Sequence, residues 1–310
     1  MLHLNNKDIP LIEIQEACIQ EKNSKVYVLR EDLIHPEISG NKWRKLKYNI
    51  VEAKNQHADT LLTFGGAYSN HIAATAAAGA NFGLNTIGVI RGEETIPLNN
   101  TLKLAQQKGM QFKYISRIEY RQKNQDSFIN KLSSEYENVY IVPEGGSNAY
   151  AVRGCTEIMQ NIAIEYDLVA CACGTGGTIA GIIASLKKDK KVFGFPALKG
   201  GDFLRKDIDK LINDYSTQYN QPIENKNWDL ILDYHFGGYA KINEDLVSFV
   251  REFKHKHNIP LDLIYTGKMM YGIFDLLKNT EHLDNKTIIV VHTGGVQGNK
   301  GFEERFGIDL

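Results

Sequence analysis

Short runs rich in β-branched and aromatic residues recur along this 310-residue chain, with helical periodicity between them. That alternation is the sequence form of a parallel sheet built with crossover helices. The runs fall at residues 25–30, 60–64, 85–90, 111–115, 139–142, 168–173, 191–195, 262–265 and 287–292. Between them Trp43, Leu46 and Ile50 share one helical face, and Leu246, Val250 and Phe253 share another. Gly109 stops a helix spanning residues 98–108. Residues 60–90 contain no Asp, Glu, Lys or Arg, which is long enough to raise a membrane helix. The run is broken by Gly65, Gly66, Asn70, Gly79, Asn81, Gly83 and Asn85, so it reads as buried strand, turn, helix and strand. No Gly/Ser-rich linker divides the chain, so two domains must interleave. The polar stretch 202–228 has weaker periodicity and is expected on the surface.

The 36 basic and 37 acidic residues nearly cancel to a formal charge of −1. Neither nucleic acid nor an anionic membrane is an expected partner, and a small ligand is. Cys18, Cys155, Cys171 and Cys173 form no repeated CxxC pair and no disulfide framework. No metal site is expected. Residues 1–15 lack the basic, apolar and small-residue segments of a signal peptide, so a cytoplasmic location is expected.

Three segments could carry chemistry. After the apolar run 168–173 come Gly174, Thr175, Gly176, Gly177 and Thr178, ahead of a helical pattern. Glycines there let backbone amides approach an anion at a helix N-terminus. A dinucleotide fingerprint fails, because Ile179 stands where its third glycine belongs and no acidic residue closes the next strand. A nucleoside-triphosphate loop fails for want of Gly-Lys-Ser/Thr. A phosphate without a nucleotide remains, against the alternative of a plain strand-to-helix turn.

The second segment, Ser39-Gly40-Asn41-Lys42, opens a helix that also carries Arg44, Lys45 and Lys47. A solvated basic face explains Lys47. Lys42, flanked by cations and the positive helix end, should deprotonate more easily, as an amine that forms Schiff bases must. Lys45, one turn on, could meet a phosphate. In the third segment, Gly65-Gly66-Ala67-Tyr68-Ser69-Asn70-His71 follows a strand and precedes an alanine-rich helix. Ser69 or Asn70 could be a plain helix cap, or hydroxyl, amide and backbone NH groups could together hold a carboxylate.

An imine-forming lysine, a phosphate site and a carboxylate site are together what pyridoxal 5'-phosphate needs when it acts on an amino acid. At this point the chain resembles the fold-type II pyridoxal-phosphate enzymes, and among them the 1-aminocyclopropane-1-carboxylate deaminase/D-cysteine desulfhydrase family. The most specific pieces are Gly40-Asn41-Lys42-Trp43-Arg44-Lys45-Leu46, Gly65 to His71, Tyr265-Thr266-Gly267-Lys268 and the glycine loop. The resemblance implies an α/β fold like that of the tryptophan synthase β chain, with two interleaved open-sheet domains and a homodimer. The larger, cofactor-binding domain would take residues 1–45 and 153–310, and the smaller, substrate-side domain residues 46–152. It makes Lys42 the covalent cofactor lysine and puts the phosphate on Gly174, Thr175, Gly176, Gly177 and Thr178 with Lys45. Asn70 would bond the ring hydroxyl, and Thr293 would lie near the pyridine nitrogen. Ser69 would serve the substrate carboxylate or act on the substrate, while Tyr239 and Tyr265 match the family's two active-site tyrosines.

Departures bear on substrate. The deaminase branch has Glu where this chain has Thr266 and Leu where it has Thr293, and both threonines resemble the desulfhydrase branch. A threonine hydroxyl holds a pyridine nitrogen protonated only weakly, so cyclopropane ring opening is less expected than β-elimination. Trp43 and Tyr68 replace a usual threonine and glutamine, and are expected to narrow or reshape the pocket. The expected activity is a lyase or deaminase of small amino acids, giving a 2-oxo acid, ammonia and, from D-cysteine, sulfide. The alternatives are a 1-aminocyclopropane-1-carboxylate deaminase, or a non-catalytic pyridoxal-phosphate or phospho-ligand binding protein.

Overall fold

Residues 9–38 and 40–310 are described in the structure, a computed structural model. Ser39 and the first part of the opening segment therefore lie outside the described residues.

The strands form two open sheets. One contains β1 (Leu11–Ile14), β2 (Lys25–Leu29), β7 (Leu168–Cys173), β8 (Lys191–Pro196), β9 (Trp228–Leu230) and β10 (Thr287–Val291), in the order β1-β2-β10-β7-β8-β9. Among the described residues only β1 pairs antiparallel, with Leu11 opposite Leu29. The other holds β3 (Thr60–Gly66), β4 (Asn85–Arg91), β5 (Gln111–Ile115) and β6 (Val139–Val142), all parallel, in the order β5-β4-β3-β6. Parallel strands are covered on both faces, which is why every residue of β7 and four of five in β10 are buried.

The charge-free run folds as β3, the helix Asn70–Phe82 and β4. Its alanines let the helix lie close to the sheet; a Cβ on Gly79 would come within 2.3 Å of Thr86 Cγ2. Among the described residues no helix is long and apolar enough to cross a membrane. The helix Asn41–Asn55 buries Trp43, Leu46 and Ile50 as its periodicity requires, and Leu46 and Ile50 are fully enclosed. Burial of such a side chain contributes about 1.5–3 kcal/mol.

Four expectations change. Residues 262–265 form a turn, because Asp262 Oδ2 accepts the amides of Ile264 and Tyr265, each at 2.9 Å, and draws them from any ladder. The short edge strands β1 and β9 are additions. The stretch 202–228 contains the helix Leu204–Tyr219, whose Ile208, Leu211, Ile212 and Tyr215 enter the core. Trp43 does not shape a pocket: it is stacked between His35 and Phe82, with centroids at 5.9 and 5.7 Å, inside the core.

Candidate active site

A cavity of about 510 Å³ lies where the C-terminal ends of strands from both sheets converge. Open α/β sheets bind ligands at such ends because the connecting loops leave a crevice there. Gly66 and Ser69 come from the end of β3, Gly145 from beyond β6, Gly174 from beyond β7 and Thr293 from beyond β10. The residues to which the resemblance gives a catalytic or cofactor-binding role line this one cavity: Lys42, Lys45, Ser69, Asn70, Gly174, Thr175, Gly176, Gly177, Thr178, Tyr239, Tyr265 and Thr293.

Lys42 and Lys45 enter from the first turn and a half of the helix Asn41–Asn55, which begins at Gly40 with φ +62°. A Cβ at Gly40 would sit 2.0 Å from the Thr293 carbonyl oxygen, so only glycine lets the helix start against β10's end. Lys42 Nζ donates to Asn41 Oδ1 at 3.1 Å, and Asn41 Nδ2 donates to Thr178 Oγ1 at 2.7 Å. Burial lowers the Lys42 pKa. The direction agrees with the sequence argument, while the leading cause is desolvation rather than flanking cations.

Lys45 Nζ donates to Ser147 Oγ at 2.7 Å and Thr175 Oγ1 at 3.2 Å. Burial, and then the charge of Lys42, bring its pKa down to about 7. Next to it the glycine loop starts the helix Gly177–Ser185, with Gly176 at φ +78°. A Cβ on Gly177 would lie 2.8 Å from Ser147 Oγ and 3.0 Å from Lys45 Nζ. An ammonium destabilised by burial, three hydroxyls and the bare amides of a helix N-terminus form the donor set of a phosphate cradle, and a phosphate dianion would restore the Lys45 charge.

Ser69 is the N-cap of the helix Asn70–Phe82; its Oγ accepts from His71 N at 3.2 Å and Ile72 N at 3.4 Å. The cap reading of Ser69 thus holds, with the residue still lining the cavity. Asn70 Oδ1 accepts from Gln297 Nε2 at 3.2 Å. His71 is buried with Nε2 2.7 Å from Thr63 Oγ1, and burial holds its pKa well below the usual range. Tyr239 and Tyr265 meet edge to face at 6.1 Å, and burial raises both phenol pKa values.

Two further residues change the reading. Tyr68 is at the mouth, 58% exposed. Thr266 is fully buried outside the cavity lining, and its Oγ1 donates to Asp262 Oδ1 at 2.7 Å. It does not face the cavity. Sequence reasoning missed Ser147, although Gly145-Gly146-Ser147 repeats the pattern of glycines after a strand. It also missed Asn41 as the link between lysine and loop, and Asp262 as the acceptor that shapes the Tyr265 turn.

Residues 3–294 match the model of a family described as pyridoxal-phosphate dependent enzyme. A Thermotoga maritima protein provisionally named a 1-aminocyclopropane-1-carboxylate deaminase is 32% identical over 311 residues, covering 96% of this chain and 96% of its own. The Arabidopsis thaliana mitochondrial bifunctional D-cysteine desulfhydrase/1-aminocyclopropane-1-carboxylate deaminase is 31% identical, over 89% of this chain and 73% of its own. A crystal structure of a 1-aminocyclopropane-1-carboxylate deaminase homologue superposes with a TM-score of 0.85 at 27% identity, covering 98% of this chain and 94% of that one.

Proposed function

The chain belongs to the pyridoxal-phosphate dependent enzymes, in the group of 1-aminocyclopropane-1-carboxylate deaminase and D-cysteine desulfhydrase, and from that premise we propose that it eliminates the β-substituent of a small D-amino acid. With D-cysteine the products are pyruvate, ammonia and hydrogen sulfide, with one water consumed. The observation that carries the choice is Thr293, a neutral hydroxyl residue at the end of β10 that lines the cavity at 7% exposure.

Pyridoxal phosphate, when bound, supplies a conjugated electron sink for the pair left at the substrate's Cα. Lys42 is the residue for covalent attachment, since burial biases its Nζ toward the neutral, nucleophilic form. The same Nζ, in its neutral form in the cavity lining, would be the base for the α-proton. Lys45, Thr175, Thr178 and the Gly176–Gly177 amides would hold the phosphate, and Asn70 the ring hydroxyl. Ser69 lines the cavity with its Oγ accepting two helix amides, and its O–H would be the donor that suits a carboxylate. Tyr239 and Tyr265 flank the substrate side, where a phenol with a raised pKa stays protonated and can donate to a departing group. A sulfide leaving group needs a weaker sink than ring opening, which matches a hydroxyl at position 293.

The strands at 60–142 fall in one sheet and the rest in the other. That separation supports a smaller substrate-side domain over residues 46–152 and a larger cofactor-binding domain over 1–45 and 153–310. A homodimer is part of the same proposal, checked by light scattering of the holoprotein.

The test is to offer the holoenzyme D-cysteine, L-cysteine, D-serine and 1-aminocyclopropane-1-carboxylate in turn, while 2-oxo acid and sulfide are followed. Highest kcat/KM is expected with D-cysteine. A clear preference for the cyclopropane would return the protein to the deaminase reading, and bound cofactor without turnover of any amino acid would favour a binding protein.

A further inference from the structure

Lys268 stands in a motif of the sequence, Tyr265-Thr266-Gly267-Lys268, to which the proposed reaction gives no task. It is 2% exposed, and its Nζ donates to the carbonyls of His235 at 2.9 Å and Gly238 at 2.8 Å. Those carbonyls bracket a turn in the left-handed region: Phe236 at φ +52°, Gly237 at +89°, Gly238 at +125° and Ala240 at +55°. L-residues avoid that region because Cβ crowds the following carbonyl. The turn therefore needs an outside hold, and Tyr239 sits within it, 41% exposed on the cavity wall.

The helix Thr266–Asn279 supplies that hold along one face, at the i, i+3, i+4, i+7 spacing. After Lys268, the Tyr271 ring takes Phe236 edge on at 5.0 Å. Gly272 leaves space for Tyr234, whose ring a Cβ there would approach to 2.8 Å, and Asp275 Oδ2 accepts the Tyr234 hydroxyl at 2.8 Å. Tyr265 immediately precedes the same helix. One helix thus follows directly on one pocket tyrosine and grips the turn that carries the other. Burying an ammonium against two carbonyls costs more than burying a methionine there would, so packing alone does not account for the lysine.

We infer that Lys268 is a positioning residue that locks the 235–240 turn and so sets Tyr239 against Tyr265 at the substrate side of the cavity. This rests on the reading of Tyr239 as a residue that acts on the substrate.

The experiment compares holoenzyme carrying Lys268→Met, Lys268→Arg, Tyr239→Phe, and Lys268→Met with Tyr239→Phe. Hydrogen exchange of amides 233–241 is read first, and it does not depend on turnover. Lys268→Met should speed exchange there by about tenfold or more, with β7 and β10 still protected, and Lys268→Arg should restore part of the protection. The second readout is kcat/KM on the best substrate. Lys268→Met should lower it, whereas in the Tyr239→Phe background the same change should cost less than about twofold. Cofactor absorbance should stay that of the parent. Unchanged exchange, losses that multiply across the two sites, or parental activity of Tyr239→Phe would each overturn the inference. If the parent turns over no amino acid, the proposed reaction falls while the exchange result still decides the latch. If Lys268→Met does not fold, Lys268→Gln is read by the same criteria.

Discussion

The backbone amide of Asn41 donates to the carbonyl of Thr293 across 3.2 Å, joining the first residue of the lysine helix to the end of β10. The contact places Lys42 beside Thr293, Gly294 and Gly295, which line the cavity with it. It exists because Gly40, between them in space, carries no side chain.

Gly40→Ala should therefore dislodge Lys42 as well as destabilise the fold. Its φ of +62° and a Cβ 2.0 Å from the Thr293 oxygen add backbone strain to a clash. A loss of about 1–3 kcal/mol or more is expected in urea unfolding. The cofactor absorbance band should be lost or displaced; a parental band with parental stability would contradict the geometry.

Lys42→Ala should remove turnover and the borohydride-reducible linkage while circular dichroism stays native. Peptide mapping after reduction of the parent should find the label on Lys42. Label on Lys45 or Lys268, the other buried lysines of low pKa, would reassign the attachment.

Gly177→Ala should weaken cofactor affinity, because its Cβ would push on Ser147 Oγ and Lys45 Nζ. It is a cleaner probe than Gly176→Val. Gly176 is buried at φ +78°, and a Cβ there would meet Ile208 Cγ1 at 2.8 Å, so that change also destabilises the cofactor-free fold. Titration of cofactor-free Gly177→Ala should show a dissociation constant raised about tenfold or more, equivalent to one lost charge-assisted contact.

Lys45 titrates near 7 in the cofactor-free fold against 10.5 for a free lysine. Between those values the unfolded chain holds a proton that the folded protein has released, so this group makes stability rise with pH. Urea midpoints of the cofactor-free parent should gain more from pH 7 to pH 9 than those of Lys45→Met. Bound phosphate should reduce the difference, since the dianion favours the ammonium. An identical pH slope in parent and variant would show that Lys45 is not desolvated as described.

Thr266→Glu should destabilise the protein and create no deaminase activity. Position 266 is fully buried, with its hydroxyl on the Asp262 carboxylate, so the variant sets two carboxylates together away from water. The expected loss is about 3–5 kcal/mol, seen as a lower thermal midpoint. A stable variant with gained ring-opening activity would show that position 266 does reach the cofactor.

The parallel α/β pattern, the lysine helix and the glycine turns after β3 and β7 were legible in the sequence because each is a local signal. Apolar runs mark strands covered on both faces, and glycines mark where backbone must come close. What a residue's side chain faces was not legible. Trp43 and Lys42 are adjacent, yet one stacks in the core and the other lines the cavity, because successive helical positions diverge by about 100°. Thr266 adjoins Tyr265 but turns to Asp262. Ser147 reaches Lys45 from 102 residues away. Desolvation, the leading cause of the lowered lysine pKa values, likewise arises only when distant segments close over the amines and exclude water. Local periodicity and turn chemistry thus specified the elements and the strand ends where a site could form, and long-range packing alone decided which groups meet there and in what state of protonation.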